Sequence, residues 1–157
     1  MSKPRHILEK NVQEISKFLS KYVLRYLGAQ PDPKKKCRKN SSIGLLSTEG
    51  TLKTCVYNKF FDKDYNLVFP NNSIQSKSVN KAIRLVKMGK VKLASKVIKP
   101  AINYLIKKKC RKIILGCTEL PIAIFAYKPF KTIKSSKIFL DPNLILANAA
   151  MRKYQNR

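Results

Sequence analysis

The chain holds only eight acidic residues and a single histidine, His6, against 34 lysines and arginines, for a formal charge of +26. One histidine, and four cysteines (Cys37, Cys55, Cys110, Cys117) that never fall into CxxC spacing, speak against a zinc site or a disulfide framework. Long apolar runs are missing too. Across residues 1–28 a Lys, Glu or Arg interrupts every few positions, which predicts neither a signal peptide nor a membrane span there, and hence a cytoplasmic protein with no membrane partner.

At 157 residues and 44% hydrophobic content, the chain is long enough to bury the core of one folded domain. Its positive charge would attract nucleic acid through counterion release. Lysines outnumber arginines 27 to 7, however, whereas base reading and bidentate phosphate clamping favour arginine. The abundance of Lys, Asn and Ile is what an AT-biased coding sequence produces. Nucleic acid therefore stands as a partner through charge alone.

In residues 7–27 the apolar side chains Leu8, Val12, Ile15, Leu19, Tyr22 and Tyr26 recur every three or four positions, the signature of an amphipathic helix that Gly28 ends. A basic connector containing KKKCRK follows over 29–42, and the remaining 43–157 reads as one lobe. In it a strand at Ile43–Leu46 gives way to the turn STEGT and a helix through Leu52, Cys55, Val56 and Phe60. YNLVFP reads as a second strand. Residues 73–109 read as helical, broken near Gly89 and at Pro100, where proline is tolerated only at a helix start or a kink. KIILG is a third strand with a short helix through Ala126, and KIFL a fourth, after which Asp141 caps an amphipathic helix with Pro142 at its first position. Strands alternating with helices predict an α/β fold with a mostly parallel sheet.

Parallel sheets gather their reactive groups at the carboxyl ends of strands, and Cys117 in IILGCTELP lies just beyond such an end. A helix beginning at Thr118 or Glu119 would lower the thiol's pKa through its unpaired N–H groups and dipole. Thr118 offers a hydroxyl and an N–H to a substrate carboxylate, and Glu119 could relay a proton or bind a substrate ammonium. The same position also suits a small core residue. STEGT, carrying Thr48 and Thr51, presents comparable donors after the first strand.

Taken in order, GLLSTEGTLKTCVYNKFF, GCTELP and LDPN resemble the aspartate/glutamate racemase family, in which a GLLAT-x-GT segment precedes GCTE-x-P and a closing D-P/S-T segment. GKVKLASKVIKPAINYLIKKKCRKIILG resembles that family's long helix leading into the second catalytic strand, and PRHILEKNVQEISKFL its inter-lobe helix. Glutamate racemases usually carry His where this chain has Glu119, so the resemblance is nearer to the aspartate racemase branch.

The resemblance implies a parallel-sheet, three-layer lobe and a cofactor-independent racemase, in which two cysteines on opposite sides of an amino acid's α-carbon remove and return its proton. It implies that Cys117 is the second of that pair, that Thr118 contacts the carboxylate of an aspartate or glutamate substrate, and that Glu119 assists proton placement. Thr48 and Thr51 would shape the neighbouring wall, with an N-cap role for Thr51 as the alternative.

The family's first lobe and its CNT segment, which bears the first cysteine, have no counterpart in these residues. Cys37 stands in a basic loop, Cys55 on a helix and Cys110 before a strand. The expectation is thus the C-terminal part of such a racemase, truncated or split and inactive alone, with a separately encoded first lobe or a homodimer as partner. The apolar faces of the 7–27 helix and of the last helix would be left uncovered. Hydantoin racemisation or malonate decarboxylation is a further reading within the superfamily, disfavoured by Glu119. From another class, the rival is a basic nucleic-acid-binding protein in which the motif is vestigial.

Overall fold

The computed structural model describes residues 41–55, 57–58, 65–126 and 138–155. The helix expected over 7–27, the KKKCRK run with Cys37, and His6 lie outside the described residues. In chain order the elements are β1 (Ser41–Ser47), α1 (Glu49–Lys53), β2 (Tyr65–Val68), α2 (Asn72–Ile74), a π-helical turn (Gln75–Asn80), α3 (Lys81–Lys87), α4 (Val91–Val97), α5 (Lys99–Lys107), β3 (Lys112–Gly116), α6 (Glu119–Phe125), β4 (Phe139–Leu140) and α7 (Pro142–Gln155). The sheet order is β2-β1-β3-β4 and every described pairing is parallel, giving the α/β architecture expected. β1 starts before its apolar run because Ser41 and Ser42 pair with Tyr65 and Asn66.

Side chains alternate across the strands, so each face of the sheet builds its own core. Ile43 and Leu45 of β1 and Ile114 of β3 join Leu140 and Ile145 on one face, with Leu52 of α1 packed against them. Leu46, Ile113 and Leu115 face the other way, into a larger core that includes Ile83, Ala94, Ile102, Leu105, Leu120 and Ile124 from α3 to α6. Burial of both strand faces explains why IGLL and KIIL read as continuous apolar runs. Gly44 lies under Leu105, where a Cβ would come within 2.7 Å of the leucine's Cδ1, so α5 seats closely on β1 only because that position is glycine.

The helical breaks fall where the sequence puts them. Gly89, at φ 71, closes α3, its N–H bonding Val86 O at 2.9 Å while Lys90 N–H bonds Leu85 O at 2.8 Å. Pro100 sits in the first turn of α5, where no intrahelical N–H is needed. Asp141 Oδ1 accepts from Asn143 N at 2.9 Å, capping α7 as predicted.

Two expectations change. The helix after β1 ends at Lys53, because the Thr54 hydroxyl folds back onto Gly50 O at 3.0 Å and Cys55 turns to φ 50; Cys55 is exposed and not helical. The helix after β2 starts at Asn72 rather than Ser73, since Asn71 Oδ1 accepts from Ile74 N at 2.9 Å, and it widens into a π-turn that the apolar spacing did not announce. On α7, Leu144, Met151 and Tyr154 stay exposed. Among the described residues, no helix is long and apolar enough to cross a membrane.

Candidate active site

The chain leaves β1 for β2 on one side, then crosses back over β1 to reach β3 on the other. That reversal makes the carboxyl ends of β1 and β3 the switch point at which open α/β sheets bind ligands. Ser47 pairs with Gly116 there, so Thr48 and Cys117 follow on adjacent strands at the same edge.

Cys117 is half-buried and packs against the larger core. Its Sγ donates to Glu119 Oε2 at 2.9 Å, and Thr118 Oγ1 donates to the same oxygen at 3.0 Å. Lys87, the last residue of α3, places Nζ 3.6 Å from Glu119 Oε1. One carboxylate thus collects a thiol, a hydroxyl and an ammonium. Those donors hold Glu119 below the usual carboxylate range, the bond from Cys117 being the largest cause and partial burial opposing it. Leu120, Ala123 and Ile124 anchor the start of α6, so the Glu119 backbone is fixed by packing.

The thiol responds in the opposite sense to the expectation from its helix. Burial, followed by the bond to Glu119, pushes Cys117 up to about 11. The Glu119 N–H and the Lys87 charge pull it down, but less. The physical reason is local. Helix α6 begins two residues after the sulfur and is seven residues long, while its first-turn carboxylate faces the thiol directly. A thiolate so close to an ionised carboxylate would be repelled, so the resting pair is a neutral thiol donating to Glu119. Such a pair can give a proton.

Thr48, not Thr51, is the N-cap of α1: its Oγ1 accepts from Thr51 N at 3.3 Å and lies 3.0 Å from Thr51 Oγ1. Both threonines are only partly buried. Cys110 is buried in the larger core as a small apolar residue. Among the described cysteines, Cys117 alone stands at the carboxyl edge of the sheet. The described residues bring together no group of three or more His, Cys, Asp or Glu side chains able to hold a metal ion.

Sequence reasoning missed Lys87 and Tyr57. Lys87 is one of 27 lysines, and only its place at the end of the helix before Gly89 sets it apart. Tyr57 packs against the smaller core, and burial, then the neighbouring Cys117, pushes its hydroxyl up to about 12. An aromatic so soon after STEGT was the available signal.

A family model described as Asp/Glu/Hydantoin racemase matches residues 29–150. The chain belongs to this racemase family. A protein described as uncharacterized, from the pnlA 3′ region of Pectobacterium carotovorum subsp. carotovorum, is 30% identical over 82 residues, which are 52% of this chain and 55% of that protein. The aspartate racemase of Picrophilus torridus has a similar fold, with a TM-score of 0.64 and 24% identity over 88% of this chain and 51% of that one. The chain thus spans about half the length of each of these relatives.

Proposed function

We propose that this lobe supplies one half-site of a cofactor-independent amino-acid racemase acting on aspartate or glutamate. The observation that supports the reading most strongly is the Cys117 thiol held on Glu119 at the switch point of a racemase-family sheet.

In the resting state Cys117 is the acid. A carbanion formed by loss of the α-proton on the far side of the substrate takes the thiol's hydrogen, the S–H bond breaking as the new Cα–H bond forms. In the reverse direction the thiolate removes that proton. For this, the substrate's ammonium would draw Glu119 away from sulfur and remove the repulsion that keeps the thiol neutral. Thr118 and Lys87, both on Glu119 at rest, would receive a substrate carboxylate, and Thr48 and Thr51 would line the adjoining wall. Neither Cys55 nor Cys110 shares the strand-end position, so the opposite face of the α-carbon is served by a group beyond the described residues, from a first lobe or a second copy of the chain.

The test is proton NMR of aspartate and glutamate in D2O, with the chain alone and with the first lobe of a family racemase supplied in trans. Loss of the α-proton signal, dependent on Cys117, is the expected result. A signal that persists with the lobe present would defeat the proposal.

A further inference from the structure

The charges of this chain are sorted in space. Between Asp64 and Glu119 every charged residue is a lysine or arginine, and the three acids among the described residues, Glu49, Glu119 and Asp141, follow the carboxyl ends of β1, β3 and β4. The amino edge of the sheet is the opposite extreme. There KKKCRK, residues 107–112, runs from the end of α5 into β3, with Lys107, Lys108, Lys109 and Arg111 exposed and Cys110 buried.

This run is fixed in place. Arg111 N–H bonds Ser42 O at 3.0 Å, tying it to the start of β1, and Lys108 Nζ sits 5.7 Å from the centroid of the Tyr104 ring. Lys109 closes α5 at φ 60, its N–H on Ile106 O at 2.9 Å and Cys110 N–H on Leu105 O at 3.1 Å, the same bonding pattern by which Gly89 closes α3. Glycine takes that left-handed position without strain, so at one of two equivalent helix ends the chain bears a lysine at a backbone cost. An AT-biased coding sequence supplies many lysines, but it does not sort acids and cations to opposite edges of a sheet. In sequence the same KKKCRK also stands at 34–39, outside the described residues, with only Asn40 between it and β1, the parallel neighbour of β3.

We propose that this amino edge, centred on residues 107–111, binds nucleic acid through its phosphates, independently of the racemase reading. Lysine ammoniums are compact point charges that suit phosphate contact at any base sequence, whereas reading bases favours arginine's fork. Of residues 107–112 five are cations and the sixth is buried, which leaves Ile106 as the exposed large apolar side chain next to the run in sequence. A lipid surface would use an apolar face as well as charge, so the phosphate backbone is the better match. The four steps of β3 from Lys112 to Gly116 span about 13 Å, and the edge shares no residue with the Cys117–Glu119 site.

The experiment is fluorescence anisotropy of a short labelled single-stranded oligonucleotide titrated with the full chain at several salt concentrations. Lys107→Gln, Lys108→Gln, Lys109→Gln and Arg111→Gln together should weaken binding about tenfold or more and flatten the slope of log K against log salt by about 3, at roughly 0.7 per lost phosphate contact. Lys77→Gln, Lys81→Gln, Lys92→Gln and Lys96→Gln together remove the same charge from exposed positions on the π-turn, α3 and α4, and should cost less than about threefold. Lys109→Gly guards against misfolding as the explanation: it should melt higher, since glycine relieves the left-handed position, yet bind about two- to fivefold more weakly. Equal losses in the two fourfold variants would mean that net charge alone binds, and would overturn the proposal. So would the absence of saturable binding to the oligonucleotide, with vesicles of equal parts phosphatidylglycerol and phosphatidylcholine bound in its place assigning the edge to lipid.

Discussion

Two strand-to-helix turns stand side by side at the carboxyl edge of the sheet, and they use the same kinds of residue differently. After β1, STEGT satisfies itself: Thr48 caps α1, the two threonine hydroxyls meet, and Glu49 is tied to Asn80. After β3, GCTE leaves its helix uncapped by any side chain and turns its acid onto a thiol. Thr48 spends its oxygen on a backbone N–H and so holds the start of α1 in place. In GCTE the thiol, the hydroxyl and the carboxylate bond one another instead, and on the proposed function these are the groups that exchange partners with a substrate.

The largest effect should come from the sulfur. Cys117→Ser is expected to reduce α-proton exchange, measured with a first lobe in trans, by about 100-fold or more, while Cys55→Ser leaves it unchanged. The two glycines come next. A Cβ at Gly116 would lie 3.0 Å from Leu45 Cδ1 and 3.3 Å from Leu46 O, whereas Gly50 has only Thr48 Oγ1 within 4 Å, at 3.8 Å. Gly116→Ala should therefore destabilise by about 1–3 kcal/mol in urea unfolding, and Gly50→Ala should stabilise by roughly 0.5–1 kcal/mol. Thr48→Ala is expected to lose about 1 kcal/mol with its cap. Thr118→Ala, which removes no cap, should stay within roughly 0.5 kcal/mol. Equal losses at both threonines would erase the distinction between the turns.

The smallest effect concerns the thiol's protonation. The Glu119 hydrogen bond and charge raise the Cys117 pKa, so Glu119→Gln lowers it and enlarges the thiolate fraction at pH 8. Alkylation of Cys117 by iodoacetamide, followed by mass spectrometry with exposed Cys55 as internal reference, should accelerate about three- to tenfold. Slower labelling would mean that Glu119 activates the thiol rather than restraining it.

Much of this was legible in the residues. Continuous apolar runs marked β1 and β3 because both strands are buried on two faces, and Asp141-Pro142, Gly89 and Pro100 marked helix ends through backbone chemistry that tertiary packing does not override. GCTELP marked the candidate site at the carboxyl edge of the sheet. Proton affinity at Cys117 was not legible, since it depends on how far the sulfur is buried and where the carboxylate of Glu119 points, and neither follows from spacing. Lys87 and Gln75 were hidden for a related reason: 30 and 42 positions before the cysteine, they reach the sheet edge only through the crossover from β2 to β3. The early end of α1 at Lys53 was masked by an apolar rhythm in the sequence that runs on past it.

The π-turn over Gln75–Asn80 changes the phase of the long crossover helix. In an α-helix, positions five apart point about 140° away from each other. Widening the turn brings Gln75 and Asn80 onto one side, where their amides can bond at 2.9 Å. The segment behaves as if one residue had been inserted, and everything after it is rotated relative to everything before. Lys87, which must reach Glu119, and Gln75, which must reach Ser47, are aimed at the sheet edge by two different helical registers. Excising one residue between them would straighten the helix and leave one of the two pointing elsewhere.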